Sequence, residues 1–305
     1  AGFMTGIRNL ARQKKNYILI ILSPETGSEF FCQETVLDHY AVMGNPIAHS
    51  LSPSIHAAFA EQTAQRLSYE ALLVEEGTFP EAVSEFFENA GKGLNVTVPF
   101  KQEAWALAVQ RSAGAELAGA VNTLFLDTDG TLQGHNTDGI GLVRDIKDNH
   151  GGQLAQKDVL ILGAGGATRG ILLPILEQKP RSVLVANRSP EKAEELAELF
   201  AEFGNVSACS LEELAEVETD WLINATSASL QGELPPLTRN NLRQGATCYD
   251  LMYGKQPTPF CQWARQAGAA KSLDGLGMLV EQAAESFYLW RGIRPDTGPV
   301  INSLR

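Results

Sequence analysis

Side chains capable of chemistry gather in four short clusters in the first half of this sequence. Gly44-Asn45-Pro46-Ile47-Ala48-His49-Ser50-Leu51-Ser52-Pro53 carries the hydroxyls of Ser50 and Ser52. Asn95-Val96-Thr97-Val98-Pro99-Phe100-Lys101 carries an amide, a hydroxyl and an ammonium. Ala118-Gly119-Ala120-Val121-Asn122-Thr123 adds a second amide, and Asn136-Thr137-Asp138-Gly139 adds a carboxylate. Each cluster follows or ends a stretch that reads as a strand, and open α/β sheets bind ligands outside the carboxyl ends of their strands. One face therefore collects Ser50, Ser52, Thr97, Lys101, Asn122 and Asp138, a surface suited to a polyhydroxylated small molecule. His49 and His56 invite a catalytic reading, but His49 is expected to hold its loop and His56 falls inside a helix. No histidine pair has metal-ligand spacing, so no metal is expected.

A fifth cluster, Leu160-Ile161-Leu162-Gly163-Ala164-Gly165-Gly166-Ala167-Thr168-Arg169-Gly170, reads as strand, glycine turn and helix. Glycines there permit the tight turn and let backbone N–H groups approach a pyrophosphate at the helix N-terminus. The third fingerprint position is Thr168 instead of Gly or Ala. The next strand ends in Val185-Ala186-Asn187-Arg188-Ser189, with Lys192 one helical turn on. NAD sites place a carboxylate at this point for the ribose 2′-OH. An arginine instead offers a planar fork of donors for a 2′-phosphate, so NADP(H) is the expected cofactor.

The hydrophobic pattern supplies the elements that must position these groups. Strands are expected over 40–44, 68–74 and 94–98, with helices over 54–65, 80–90 and 101–109 between and after them. Asp129-Gly130 marks a hairpin between 122–127 and 131–135. After His150-Gly151-Gly152 a second series begins: strands over 159–162, 182–186, 221–224 and 247–250, and helices over 168–178 and 190–203. A last helix over 277–290 is placed to fold back on the first series. Strands alternating with helices imply mostly parallel sheets covered on both faces.

At 305 residues with 44% hydrophobic and 20% charged positions, the chain has material for two globular domains. Its 24 Lys and Arg against 36 Asp and Glu give a net charge of −12. That argues against a nucleic-acid backbone as partner, because such affinity rests on cations neutralising phosphates. Cys32, Cys209, Cys248 and Cys261 form no CxxC pair and read as free thiols of a reducing, cytoplasmic compartment. Residues 1–36 differ from the rest. A basic cluster (Arg8, Arg12, Lys14, Lys15) precedes an apolar run over 17–22. That run is too short for a signal peptide or a membrane helix. This stretch reads as an extra leader, a flexible arm or an added strand.

In order along the chain stand GNPIAHSLSP, NVTVPFK, AGAVNT, NTDG, GAGGATRG, NATS and DGLGMLVEQAA. With these motifs the sequence resembles the shikimate dehydrogenases of the shikimate/quinate dehydrogenase family, from about His39 to the end. The resemblance implies reversible NADPH-dependent reduction of 3-dehydroshikimate to shikimate. It also implies an α/β fold in which a substrate domain with a mostly parallel sheet and a Rossmann-like NADP domain flank a cleft. The substrate domain is expected over 37–138 and completed by 275–305; the NADP domain is expected over 139–274. By the same resemblance, Ser50 and Ser52 with Tyr253 hold the substrate carboxylate. Asn95, Thr97, Asn122 and Gln282 hold the ring hydroxyls, and Lys101 and Asp138 form the catalytic pair. Gly163, Gly165, Gly166 and Ala167 cradle the pyrophosphate, while Asn187, Arg188, Ser189 and Lys192 grip the 2′-phosphate. Lys192 stands where many relatives carry a second arginine, which keeps the charge but loses the fork. Thr226, Ser227 and Met252 line the nicotinamide side, and Gly275 and Met278 belong to the segment closing over the cofactor.

The chemistry is consistent with that pair. Hydride transfer to a ketone builds negative charge on oxygen and a proton must be supplied. Lys101 opens a helix, whose N-terminus disfavours a cation, while Asp138 favours one; the sequence leaves the balance open. Two alternatives remain at this level: an NAD-using quinate/shikimate dehydrogenase, and a non-catalytic ligand sensor on the same fold. Monomer and homodimer are both compatible with the sequence, and no membrane partner is expected.

Overall fold

The computed structural model describes residues 18–22, 29–33, 37–226 and 234–305, the first two stretches by backbone alone. The chain divides into two units, Ala1–Asp38 and His39–Arg305. In the first, β1 (Ile18–Leu22) pairs antiparallel with β2 (Glu29–Gln33), Ile18 opposite Gln33. The apolar run of the leader thus supplies a strand. Apart from β1 and β2, that leader lies outside the described residues.

The second unit builds two separate six-stranded sheets. The first contains β3 (Asp38–Gly44), β4 (Leu67–Leu73), β5 (Gly91–Val96), β6 (Gln110–Arg111), β7 (Thr123–Leu126) and β8 (Leu132–His135). Their order across the sheet is β4-β3-β5-β7-β8-β6. Strands β3 and β5 run parallel, whereas β7 is antiparallel to both β5 and β8. The Asp129-Gly130 hairpin is the β7–β8 connection. Ala41, Met43, Leu94 and Val96 face one core with Phe79 and Phe100. Those partners come from α2 (Phe79–Glu88) and from the residue capping α3 (Lys101–Leu107). On another core, Ile55 and Phe59 of α1 (Ser52–Gln62) meet Val280 and Phe287 of the last long helix.

The second sheet is parallel throughout. It holds β9 (Asp158–Leu162), β10 (Ser182–Asn187), β11 (Val206–Ser210), β12 (Thr219–Asn224), β13 (Leu242–Asp250) and β14 (Lys271–Leu273). The order β11-β10-β9-β12-β13-β14 is that of a doubly wound dinucleotide fold, in which strand order reverses beside the first strand. Alternate residues feed opposite faces. Val159, Ile161 and Ile223 join one core, Leu160, Leu162 and Leu222 the other. Such double burial explains why these strands read as continuous apolar runs.

Several elements depart from the expected pattern. The strand expected over 94–98 lies instead at Gly91–Val96. Glycines at 91 and 93 mask its start, and the second is needed: a Cβ on Gly93 would sit 2.5 Å from the Trp290 indole nitrogen. The short elements β6, α4 (Ala113–Ala118), β11 and β14 were not foreseen, because edge strands and one-and-a-half-turn helices carry too little periodic signal. Also unforeseen were α5 (Asp138–Arg144), α8 (Pro259–Ala267) and α10 (Gly298–Leu304), while α6 (Gly166–Leu176) and α7 (Pro190–Phe200) match expectation to within a few residues. The last long helix, α9 (Leu276–Arg291), packs against α1 as anticipated. Helix α5 approaches α9 closely at Gly141, where a Cβ would lie 2.7 Å from the Gln282 backbone nitrogen. That approach brings the start of α5 beside Gln282.

Candidate active site

The Lys101 ammonium donates to Asp138 Oδ2 at 2.7 Å. Lys101 is the first residue of α3, the next element after β5, and Asp138 is the first of α5, the next after β8. Two strand ends thus deliver opposite charges to one point, although 37 residues separate them. Asp138 is not an N-cap; Thr137 holds that place. The Asp138 backbone N–H is held by Asn136 Oδ1 at 3.1 Å.

A cleft of about 300 Å³ surrounds the pair, at the small end of ligand pockets. Ser50, Ser52, Asn95, Thr97 and Asn122 line it. Tyr253, Gln282, Gly275 and Met278 complete the wall. All nine residues expected to touch substrate or transfer its proton therefore meet in one cavity, with two of those expected at the cofactor. Its other walls are apolar, including Ile47, Leu251 and Leu279. The 44–53 loop is held by Ser50 N donating to Ile47 O at 3.0 Å and by Ser52 N donating to Ser50 Oγ at 3.3 Å. His49 does not hold it. His49 is exposed on the cleft rim and makes no hydrogen bond to a described residue, because short backbone contacts already close the turn.

Behind the wall lies a buried polar network. Asn122 Nδ2 donates to Asp138 Oδ1 at 2.8 Å, giving the carboxylate a second anchor. The Asn122 Oδ1 accepts from Thr137 N at 3.0 Å and from Thr123 Oγ1 at 2.8 Å. Asn95 Nδ2 donates to Thr123 Oγ1 at 3.2 Å and to Ser286 Oγ at 3.0 Å, while its Oδ1 accepts from the Tyr69 hydroxyl at 2.7 Å. Burial holds that phenol well above its ordinary value, so it stays a donor. Tyr69, Thr123, Thr137 and Ser286 were not singled out from sequence. Thr123 and Thr137 stand inside the AGAVNT and NTDG motifs, and Ser286 lies four residues beyond Gln282 on one helix; only Tyr69 left no such signal.

His56 is a core residue. Its ring stacks on Tyr69 at 4.1 Å and 5°, and neither ring nitrogen has a hydrogen-bond partner. Burial pushes its imidazole down to about 3, so it is neutral in the folded protein. Unfolding returns it to about 6.5. Between those values the unfolded chain binds the extra proton, so stability falls as pH drops through that window. This group contributes a slope of at most about 1.4 kcal/mol per pH unit. His56→Phe is expected to flatten the dependence, compared by urea unfolding at pH 7 and pH 5. Parallel slopes in the two proteins would refute this.

At the second sheet, Gly163 follows β9 with φ +97°, a left-handed conformation suited to glycine. Thr168, the departure from the fingerprint, is fully buried and satisfied: its hydroxyl donates to Gly163 O at 2.6 Å. Gly165 and Gly166 have open space where a Cβ would stand, and both are exposed with Ala167 at the N-terminus of α6. This cradle fits a pyrophosphate. One strand over, Asn187 Nδ2 donates to Ser189 O at 2.9 Å, bracing the turn that presents Arg188. Arg188 and Lys192 are exposed and in no ion pair among the described residues. Beyond β12, the Thr226 hydroxyl donates to Asn224 Oδ1 at 2.7 Å. Met252 N donates to Asp250 Oδ1 at 3.1 Å, and Gly275 N to Met252 O at 3.1 Å. Ser227 lies outside the described residues. The cofactor-side residues of α6, β10 and α7 stand outside the cleft lining, along the carboxyl edge of the second sheet.

Among the described residues, no group of three His, Cys, Asp or Glu is placed to hold a metal ion. None of their helices is long and apolar enough to cross a membrane.

Comparison with known proteins agrees with this layout. Three family models match: the shikimate dehydrogenase substrate binding domain over residues 42–124, shikimate / quinate 5-dehydrogenase over 145–244, and the shikimate 5'-dehydrogenase C-terminal domain over 275–305. The shikimate dehydrogenase (NADP(+)) of Alkalilimnicola ehrlichii is 57% identical over 268 residues, covering 88% of this chain and 98% of the relative. That of Nitrosococcus oceani is 54% identical, covering 88% and 95%. The crystal structure of shikimate 5-dehydrogenase from Thermus thermophilus in complex with NADP(H) and shikimate superposes with a TM-score of 0.77 at 34% identity, covering 88% and 98%. With its mixed-sheet and all-parallel halves and this degree of identity, the chain belongs to the shikimate dehydrogenase family.

Proposed function

We propose that this chain catalyses the reversible NADPH-dependent reduction of 3-dehydroshikimate to shikimate, with Lys101 and Asp138 handling the proton. The observation that carries the reading is the 2.7 Å contact between these two side chains, inside a cleft otherwise lined by hydroxyls, amides, apolar groups and, at its rim, the His49 imidazole. NADPH, when bound, supplies the hydride. Lys101 donates a proton to the carbonyl oxygen in reduction and accepts it in oxidation. Asp138, fixed on its other oxygen by Asn122, keeps the ammonium aimed at that oxygen. Ser50, Ser52 and Tyr253 receive the substrate carboxylate; Asn95, Thr97, Asn122 and Gln282 receive the ring hydroxyls.

We assign 37–138 with 275–305 to the substrate domain and 139–274 to the NADP domain. The separate sheets support that division, as does α9 packing on α1. On the cofactor side, Gly163, Gly165, Gly166 and Ala167 take the pyrophosphate. Asn187, Arg188, Ser189 and Lys192 take the 2′-phosphate, and Thr226, Ser227, Met252, Gly275 and Met278 surround the nicotinamide. A cytoplasmic setting suits the free thiols of Cys209, Cys248 and Cys261. The working form is a monomer or homodimer.

The test is shikimate-dependent reduction of NADP at alkaline pH, run beside NAD and beside quinate. Turnover with NADP and shikimate at least about tenfold above the other pairs is expected, since Arg188 leaves no carboxylate for a free ribose 2′-OH. A preference for NAD would favour the dual quinate/shikimate enzyme, and tight binding with no turnover would favour a sensor.

A further inference from the structure

Two buried hydroxyls outside the cleft lining bear on the reaction. Thr123 and Ser286 have no exposed surface, and neither faces the cavity. They lie 2.8 Å apart, Thr123 at the start of β7 and Ser286 in the middle of α9.

Proton accounting makes each orientation here depend on the next. A backbone N–H cannot accept, so the Asn122 atom 3.0 Å from Thr137 N is the amide oxygen. That places Asn122 Nδ2 toward Asp138, to which it donates. The same amide oxygen takes the Thr123 proton at 2.8 Å. A threonine hydroxyl has one proton, so the Thr123 oxygen is left to accept from Asn95 Nδ2 at 3.2 Å; the Ser286 hydroxyl, 2.8 Å from that oxygen, shares its one proton between it and Gln282 O at 3.1 Å. Asn95 cannot turn over, because its oxygen is already occupied by the Tyr69 phenol. The Asn95 and Asn122 amides of the cleft wall are therefore locked from behind.

We propose that Thr123 and Ser286 are positioning residues that fix the Asn95 and Asn122 amides and, through Asn122, hold Asp138 in register with Lys101. The inference rests on the catalytic reading above. In a buried network each lost partner leaves an unsatisfied group, so the amides reorient when a hydroxyl is removed. Ser286 carries α9 into the network, and the same helix supplies Gln282 to the cleft. The seating of α9 is thereby coupled to the geometry of the catalytic pair.

The experiment compares Thr123→Val, which is nearly isosteric but lacks the hydroxyl, with Thr123→Ser, which keeps it, and with Ser286→Ala. Thr123→Val is expected to lower kcat/KM for shikimate about 10- to 100-fold. The KM for NADP should stay within about twofold, because no cofactor residue joins the network. Thr123→Ser should recover activity to within about threefold, and Ser286→Ala should lose about 3- to 30-fold. If Thr123→Val fails to fold, Ser286→Ala decides alone. Wild-type kcat/KM in the soluble variant, or equal loss in the Val and Ser variants, overturns the inference. Lys101→Ala separates the two levels. If it keeps full turnover, the catalytic reading fails. If it collapses while Thr123→Val does not, only the positioning role fails.

Discussion

Lys101→Ala is expected to lower kcat for shikimate oxidation by about 10²- to 10⁴-fold, the usual contribution of a positioned general acid or base. Shikimate KM should change only several-fold, because Ser50, Ser52, Asn95, Thr97, Asn122 and Gln282 still line the cleft. In the wild type, Lys101 is the one lysine or arginine lining that cleft among the described residues. Its removal leaves the Asp138 carboxylate anchored by Asn122 alone of its two side-chain donors. Lys101→Arg should not rescue turnover, since a guanidinium holds its proton too tightly to exchange it near neutrality. Steady-state rates across pH, with the melting temperature as a control for folding, make the comparison. Turnover within twofold of wild type in the alanine variant would remove Lys101 from the mechanism.

Arg188→Asp is expected to give the second large effect, on cofactor choice. The side chain is exposed at the end of β10, next to the start of α7, and pairs with no carboxylate among the described residues. A guanidinium there costs little to present and is free to fork onto a phosphate. Losing a charge-assisted contact and adding a like charge should lower kcat/KM for NADP by about 100-fold or more. The NAD rate should hold or rise, because a carboxylate is the usual partner of a free 2′-OH. Shikimate KM and the melting point should not move, since Arg188 is not part of the cleft lining and is outside the core. An unchanged NADP-to-NAD ratio would place the 2′-phosphate elsewhere. Lys192→Ala serves as the graded control, with a smaller loss expected from a flexible point charge.

How much of this could be read from the chain alone follows from range. Most apolar strands, the glycine turn after β9 and the Asp129-Gly130 hairpin are local signals, each specified within a dozen residues, and they appear where expected to within a few residues. Composition, with a net charge of −12, likewise argued against a nucleic-acid backbone as partner. The departures sit where local signal is weak or overruled. Glycines at the start of β5 look like breakers until Trp290 is seen packed on Gly93. Thr168 looks like a damaged fingerprint until its hydroxyl is seen donating to Gly163 O. His49 looks like a loop anchor until the turn proves to close through backbone.

By itself, then, the sequence determined the two sheet series, the residue types available at each strand end and the cofactor class, because those depend on near neighbours and on charge. Tertiary structure decided which groups meet. It joined Lys101 to Asp138 and drew Gln282 to the wall through the close approach of α5 and α9. It also placed Thr123 against Ser286, residues 163 positions apart. A hydrogen bond depends on separations of tenths of an ångström between distant segments, and only the packed core fixes those.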